Sequence, residues 1–171
     1  GLRDVDGTGV LAGISNISRI DAFKTEDGKK VPCDGQLWYR GYNVIDLIHG
    51  FEGKRFGFEE VAYLLLFGEL PDAAKLGAFK SMLEECRQLP TNFTRDVIMK
   101  APSKDIMNSL TRSVLTLASY DETIADQELH TQLEQCIKLI SVFPMLAVYG
   151  YHAYNHYICD DSLYIHRPQE G

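Results

Sequence analysis

The sequence predicts a mainly α-helical fold preceded by short β-strands and hairpins. Three observations point that way. The first forty or so residues are rich in glycine and β-branched residues and hold Asp-Gly pairs at 27–28 and 34–35. From Asn43 onward apolar residues recur at helical spacing. Capping residues, glycines and prolines punctuate that second region at intervals suited to helices of ordinary length.

The elements follow in order. GTGVLAGISNISRIDAF reads as extended chain, and the Asp27-Gly28 pair as a hairpin turn. A second extended run, KVPCDGQLWYRG, contains Asp34-Gly35, read as another turn. Residues 1–42 are thus a β-rich segment and 43–171 a helical part. Asn43 is placed to cap the first helix, which carries Val44, Leu47 and Ile48 on one face and ends at Gly50. FEEVAYLLLFGELP is apolar on nearly every side and predicts a buried helix stopped by Gly68 and Pro71.

Asp72 caps the next helix, whose stripe is Leu76, Phe79, Leu83 and Cys86. Lys75, Lys80, Glu84 and Arg87 lie off that stripe, as on a surface helix. TRDVIMKA predicts a short helix. A further helix is expected from Ser103 to about Tyr120, with Ile106, Leu110, Val114 and Leu117 in register and small Ser109, Ser113 and Ala118 allowing close approach. The last and longest is expected from about Gln127 to His156. Pro144 lies inside it and removes one backbone hydrogen bond.

Seventeen basic against 24 acidic residues give a net charge of −7, which argues against a nucleic-acid or anionic-membrane surface. No run of 18 uninterrupted apolar residues occurs, so no transmembrane helix is expected, and no signal peptide is legible at the start. The four cysteines, Cys33, Cys86, Cys136 and Cys159, are widely spaced with no CxxC pair, and are read as free thiols of a reducing compartment.

Few motifs suggest chemistry. His152 and His156 are four apart on a helix, with Cys159 one turn on. The HExxH pattern is absent, since position 153 is alanine, so the trio reads as a polar helix end in preference to a metal site. GxSxG, GxGxxG and GxxxxGK[ST] are also absent. Glu59-Glu60 and Glu84-Glu85 read as solvated or first-turn acids. No catalytic, cofactor-binding or metal-binding residue is assigned. Tyr39, Arg40, Gly41 and Tyr42 read as a structural corner, with Arg40 held by a carboxylate or by helix-end carbonyls.

Several ordered segments resemble citrate synthases: GLRDVDGTGVLAGIS, GQLWYRGYNVIDL, FEEVAYLLLFGELP, EQCIKLISVFPMLAVYGYHAYN and SLYIHRP. The variant resembles the bacterial kind. One departure is Asp105-Ile106-Met107, where many members carry His-Pro-Met; Asp105 is read as a first-turn acid. The resemblance implies the N-terminal half of a large helical domain, with ends that look cut from a longer protein. It implies a parent enzyme condensing acetyl-CoA with oxaloacetate, using an aspartate base and two histidines. No match for those residues is found here, so the chain is expected to be an inactive scaffold. A cytoplasmic homodimer is implied, with interface candidates Met107, Leu110, Val114, Leu117, Ile137, Ile140, Phe143, Leu146 and Val148. Two alternatives stand beside this reading: a piece of a 2-methylcitrate synthase, which uses propionyl-CoA, and a non-catalytic helical interaction module.

Overall fold

The structure is a computed structural model that describes residues 3–10, 15–53 and 57–166. By its internal contacts the chain divides into two units, Gly1–Phe79 and Lys80–Gly171.

The first unit is built on a β-sheet of order β1-β2-β3, with β1 Ser18–Glu26, β2 Lys29–Tyr39 and β3 Tyr42–Asn43. Asp27 and Gly28 both take positive φ, 50° and 76°, as a primed two-residue hairpin turn requires. Strands β1 and β2 run antiparallel, from Glu26 opposite Lys29 to Ser18 opposite Tyr39. The Asp34-Gly35 pair does not reverse the chain, contrary to the sequence reading. Asp21 pairs with Gln36 and Phe23 with Pro32, so Cys33, Asp34 and Gly35 form an irregularity opposite the single residue Ala22. Pro32 has no N–H for the ladder, and Gly35 does not take the positive φ that a primed reversal would need. The opening GTGVLAGIS stretch contributes one isolated bridge, Arg3 to Gly9; residues 11–14 lie outside the described ones.

Asn43 ends β3 and caps α1 (Val44–His49), its side chain accepting the Ile45 N–H at 2.9 Å. Helix α2 (Phe58–Phe67) has Glu59 and Glu60 in its first turn, where the dipole favours acids. It stops at Gly68, whose φ of 85° suits glycine and whose N–H donates to the Leu64 carbonyl at 2.8 Å. The expected all-round burial of α2 is not found. Leu64 is buried, but Phe58 is 61% exposed and Phe67 42%. An all-apolar helix needs cover on every side, and the aromatic cluster of Tyr63, Phe67 and Phe79, with centroids 4.5–6.0 Å apart, covers one. Helix α3 (Ala73–Glu85) opens with the Lys75 N–H donating to Asp72 Oδ1 at 2.8 Å. Of its stripe, Phe79 and Leu83 are buried, and Leu76 and Cys86 half-buried.

The second unit is helical. TRDVIMKA forms a π-helical turn, Thr94–Met99, where an ordinary helix was expected. Helix α4 is Ile106–Leu117, followed by a 3₁₀ turn, Ala118–Tyr120. It starts later than the sequence suggests, because Asp105 is extended (φ −91°, ψ 97°) and acts as the cap itself, accepting the Asn108 N–H at 3.1 Å. Ser103 sits outside the helix and accepts the Asp105 N–H at 3.1 Å. Arg112 ties the helix start back to the preceding loop, donating to Asn108 Oδ1 at 3.0 Å and to the Ala101 carbonyl at 2.7 Å. In the connection to α5, Thr123 donates its hydroxyl and N–H to Asp121, which holds that carboxyl below its ordinary value.

Helix α5 (Leu129–Cys159) runs for 31 residues, roughly 46 Å at the usual rise. Helical structure continues through Pro144, although that residue has no N–H to donate. The helix stops at Asp160, in the left-handed region at φ 58°, whose N–H donates to the Asn155 carbonyl. The core joins Phe93 and Ile98 to Val142, Met145, Leu146, Tyr149 and Ala153 of α5; Leu110, Val114 and Leu117 of α4 pack against it. Each such fully buried side chain contributes about 1.5–3 kcal/mol. The buried Ser113 and Ser141 hydroxyls donate to carbonyls one turn back, Ser109 at 2.9 Å and Ile137 at 2.7 Å, so neither is left unpaired. By length and composition α5 is the one described helix able to cross a membrane; five of its buried residues belong to this core.

Asp105→Ala removes the cap of α4. The expected loss is about 1 kcal/mol, or about 2–4 °C in melting midpoint; an unchanged midpoint in thermal denaturation would show that the cap contributes nothing.

Candidate functional site

Two regions hold the residues singled out from the sequence. The first is the corner Trp38–Asn43. Arg40 (φ 48°) and Gly41 (φ 88°) form a two-residue reversal that sets Tyr39 opposite Tyr42 and Trp38 opposite Asn43. The sequence reading had one strand meeting one helix here; the structure inserts a hairpin between them. Arg40 donates from Nε and Nη2 to one acceptor, the Leu65 carbonyl in the last turn of α2, at 3.2 and 2.8 Å. That carbonyl has no amide partner within the helix, and the helix dipole favours a cation there. Tyr39 is half-buried, while Gly41 and Tyr42 are exposed. Arg19, opposite Trp38, lies over its indole at 5.1 Å.

The second region is the surface of α4 and α5. Of the interface candidates, Ile137 and Leu146 are buried inside the unit. Leu110, Val114 and Leu117 are half-buried against the core, and Ile140 is half-buried as well. Met107 and Phe143 face outward, 68% and 45% exposed. Val148, also among the candidates, is 46% exposed, and three further apolar residues on the same helices are exposed and were not picked out from the sequence: Leu115, Leu139 and Tyr151. Spacing gave no means of choosing between faces of helices apolar on several sides. Val114, Leu115, Leu117, Ile124, Leu139 and Val142 line a groove of about 210 Å³.

At the end of α5, His156 Nδ1 lies 2.8 Å from the Asp161 carbonyl, and the His152 ring lies 5.9 Å from that of His166. The thiol of Cys159 beside Tyr154 pushes the Tyr154 hydroxyl up. Among the described residues no three His, Cys, Asp or Glu side chains come together in a group suited to a metal. The carboxyls with lowered pKa, at Asp6, Asp96, Asp121 and Asp126, are held by local hydrogen bonds, and all but the half-buried Asp121 are exposed. Such carboxyls are turn and surface features, not groups poised for proton transfer.

A β-hairpin segment, a series of helices and a long helix with exposed apolar residues define a mainly helical protein with a small sheet. The chain belongs to the citrate synthase family: the family model described as "Citrate synthase, C-terminal domain" matches residues 3–170. The 2-methylcitrate synthase of Shewanella oneidensis is 34% identical over 115 residues, covering 67% of this chain and 28% of that protein. The citrate synthase of Saccharolobus solfataricus is 29% identical over 144 residues, covering 83% and 35%. The crystal structure of citrate synthase from Pyrobaculum aerophilum superposes with a TM-score of 0.69 at 25% identity, covering 98% of this chain and 40% of that one. The chain therefore spans only part of the length of these relatives.

Replacing Arg40 separates its two roles. Arg40→Ala loses both hydrogen bonds yet keeps a side chain at positive φ, and is expected to cost about 2–3 kcal/mol. Arg40→Gly loses the same bonds but relieves the backbone, so its melting midpoint should fall between those of Arg40→Ala and the unaltered chain. An Arg40→Ala midpoint equal to that of the unaltered chain would overturn the anchoring role.

Proposed function

We propose that this chain is the scaffold and dimerisation part of an enzyme that condenses acetyl-CoA with oxaloacetate to give citrate and CoA, at the start of the tricarboxylic acid cycle. The family match along residues 3–170 carries this reading. In this division of labour an aspartate base and two histidines come from elsewhere in the parent enzyme. These 171 residues supply the framework, without a resident cofactor. A cytoplasmic setting accords with four cysteines that are all unpaired. The Shewanella relative favours one second reading, a 2-methylcitrate synthase acting on propionyl-CoA.

The test is a chimera in which this chain replaces the matching segment of the Saccharolobus enzyme. The chimera is expected to release CoA from acetyl-CoA plus oxaloacetate, whereas this chain alone releases none. A folded chimera without turnover, or CoA release by the pure chain, would each refute the scaffold reading.

Self-association runs through the outward side of α4 and α5, where Met107, Leu115, Leu139 and Phe143 are exposed. Large apolar side chains exposed along helices support association. Light scattering is expected to give twice the 19.3 kDa chain mass, with Phe143→Arg shifting the chain to monomer. A 19.3 kDa species alone at high concentration counts against the dimer.

A further inference from the structure

Beside the Arg40-Gly41 reversal lies a cavity of about 370 Å³, lined by Ser15, Asn16, Ser18, Arg19, Trp38 and Arg40, together with Ile17 and Gly41. Its charge runs against that of the chain, which is −7 overall. Arg40 is half-buried and always protonated. Its side-chain partner is the neutral Leu65 carbonyl, and among the described residues no carboxylate lies within ion-pair distance of it. Arg19 meets Asp21 through Nε alone, at 3.0 Å, and that pair is exposed. Its Nη1 and Nη2 donate to no described residue, which leaves the fork that binds oxyanions in two-pronged fashion unused. Ser15 uses its hydroxyl oxygen as an acceptor from the Ile17 N–H, so its O–H remains free to donate. Trp38 Nε1 is a buried donor without a partner.

We propose that this cavity binds a small oxyanion, a free carboxylate or phosphate, between Arg19 and Arg40. Asn16 and the serine hydroxyls supply further donors. Asp21 is the internal competitor: it holds Arg19 until the ligand displaces it.

Trp38 is the single tryptophan of the chain, so its emission reports on this cavity alone. The chain is titrated with inorganic phosphate and separately with citrate, against sodium chloride at matched ionic strength. A saturable change in Trp38 emission is expected with one or both oxyanions and none with chloride; the anion that saturates lower identifies the ligand class. Arg19→Gln should raise the midpoint about tenfold, the loss of one charge-assisted contact. Asp21→Asn, which frees Arg19, should lower it. Both side chains are exposed, so neither change threatens the fold, and Arg40 is left in place to hold α2. A response equal to that of chloride would mean screening only and would overturn the proposal. So would the absence of saturation, or midpoints unmoved by both substitutions.

Discussion

The bond from Arg40 to the Leu65 carbonyl sets the arrangement of the first unit. It joins the tip of the second hairpin to the last turn of α2, two places 25 residues apart in sequence. The arrangement holds a conflict. Arginine at φ 48° is strained, by about 1–2 kcal/mol relative to an ordinary conformation. Glycine would remove that cost but has nothing to reach α2 with. Two charge-assisted hydrogen bonds contribute more than the strain, since each is worth about 1.5–3 kcal/mol and the helix dipole adds to them. The residue is therefore chosen for its reach, and the backbone conforms. The neighbouring Gly41, at φ 88°, lets the reversal close without a second strained side chain.

The second unit rests on a different constraint: how much of α5 its own core can use. Val142, Met145, Leu146, Tyr149 and Ala153 face the cluster around Phe93, and buried serines let helical backbones come near without leaving a hydroxyl unpaired. A helix has more perimeter than one cluster can cover. Leu139, Phe143, Val148 and Tyr151 are the remainder, and no residue of the described chain buries them. Apolar surface arranged along a rigid helix is costly in water and well suited to meeting another surface. The same reasoning explains α2, which is apolar on all sides yet buried only at Leu64.

Much of the fold was legible because its signals are local. Asp27-Gly28, Asn43, Gly68 and Asp72 each act through their own backbone and neighbours a few residues away, and each does in the structure what its type suggests. Asp34-Gly35 was misread for a non-local reason. Whether such a pair turns or bulges depends on which residues stand opposite, here Asp21 to Phe23 on another strand. The start of α4 was misread, because an acid in the first turn and an acid at the cap look alike until φ and ψ are known. The exposed faces of α4 and α5 were illegible because periodicity identifies a stripe only when the other faces are polar. Phe143 and Leu146 look equivalent in sequence; one is 45% exposed and the other 1%.

The chemistry of the described side chains bears on the division of labour within the parent enzyme. Abstracting a proton from an acetyl methyl group needs a base whose pKa has been moved by burial or by a neighbouring charge. Here the pKa values of Asp121 and Asp126 are lowered by turn hydrogen bonds, which makes them weaker bases. Asp121 illustrates the difference: both hydrogen bonds from Thr123 fall on its Oδ1 and hold the carboxyl below its ordinary value. Asp121 and Asp126 fix the turns between α4 and α5, and the apolar side chains of this unit divide between the core and the exposed faces of the helices. In the proposed enzyme, selection between acetyl and propionyl groups accordingly belongs to the part that carries the reacting residues.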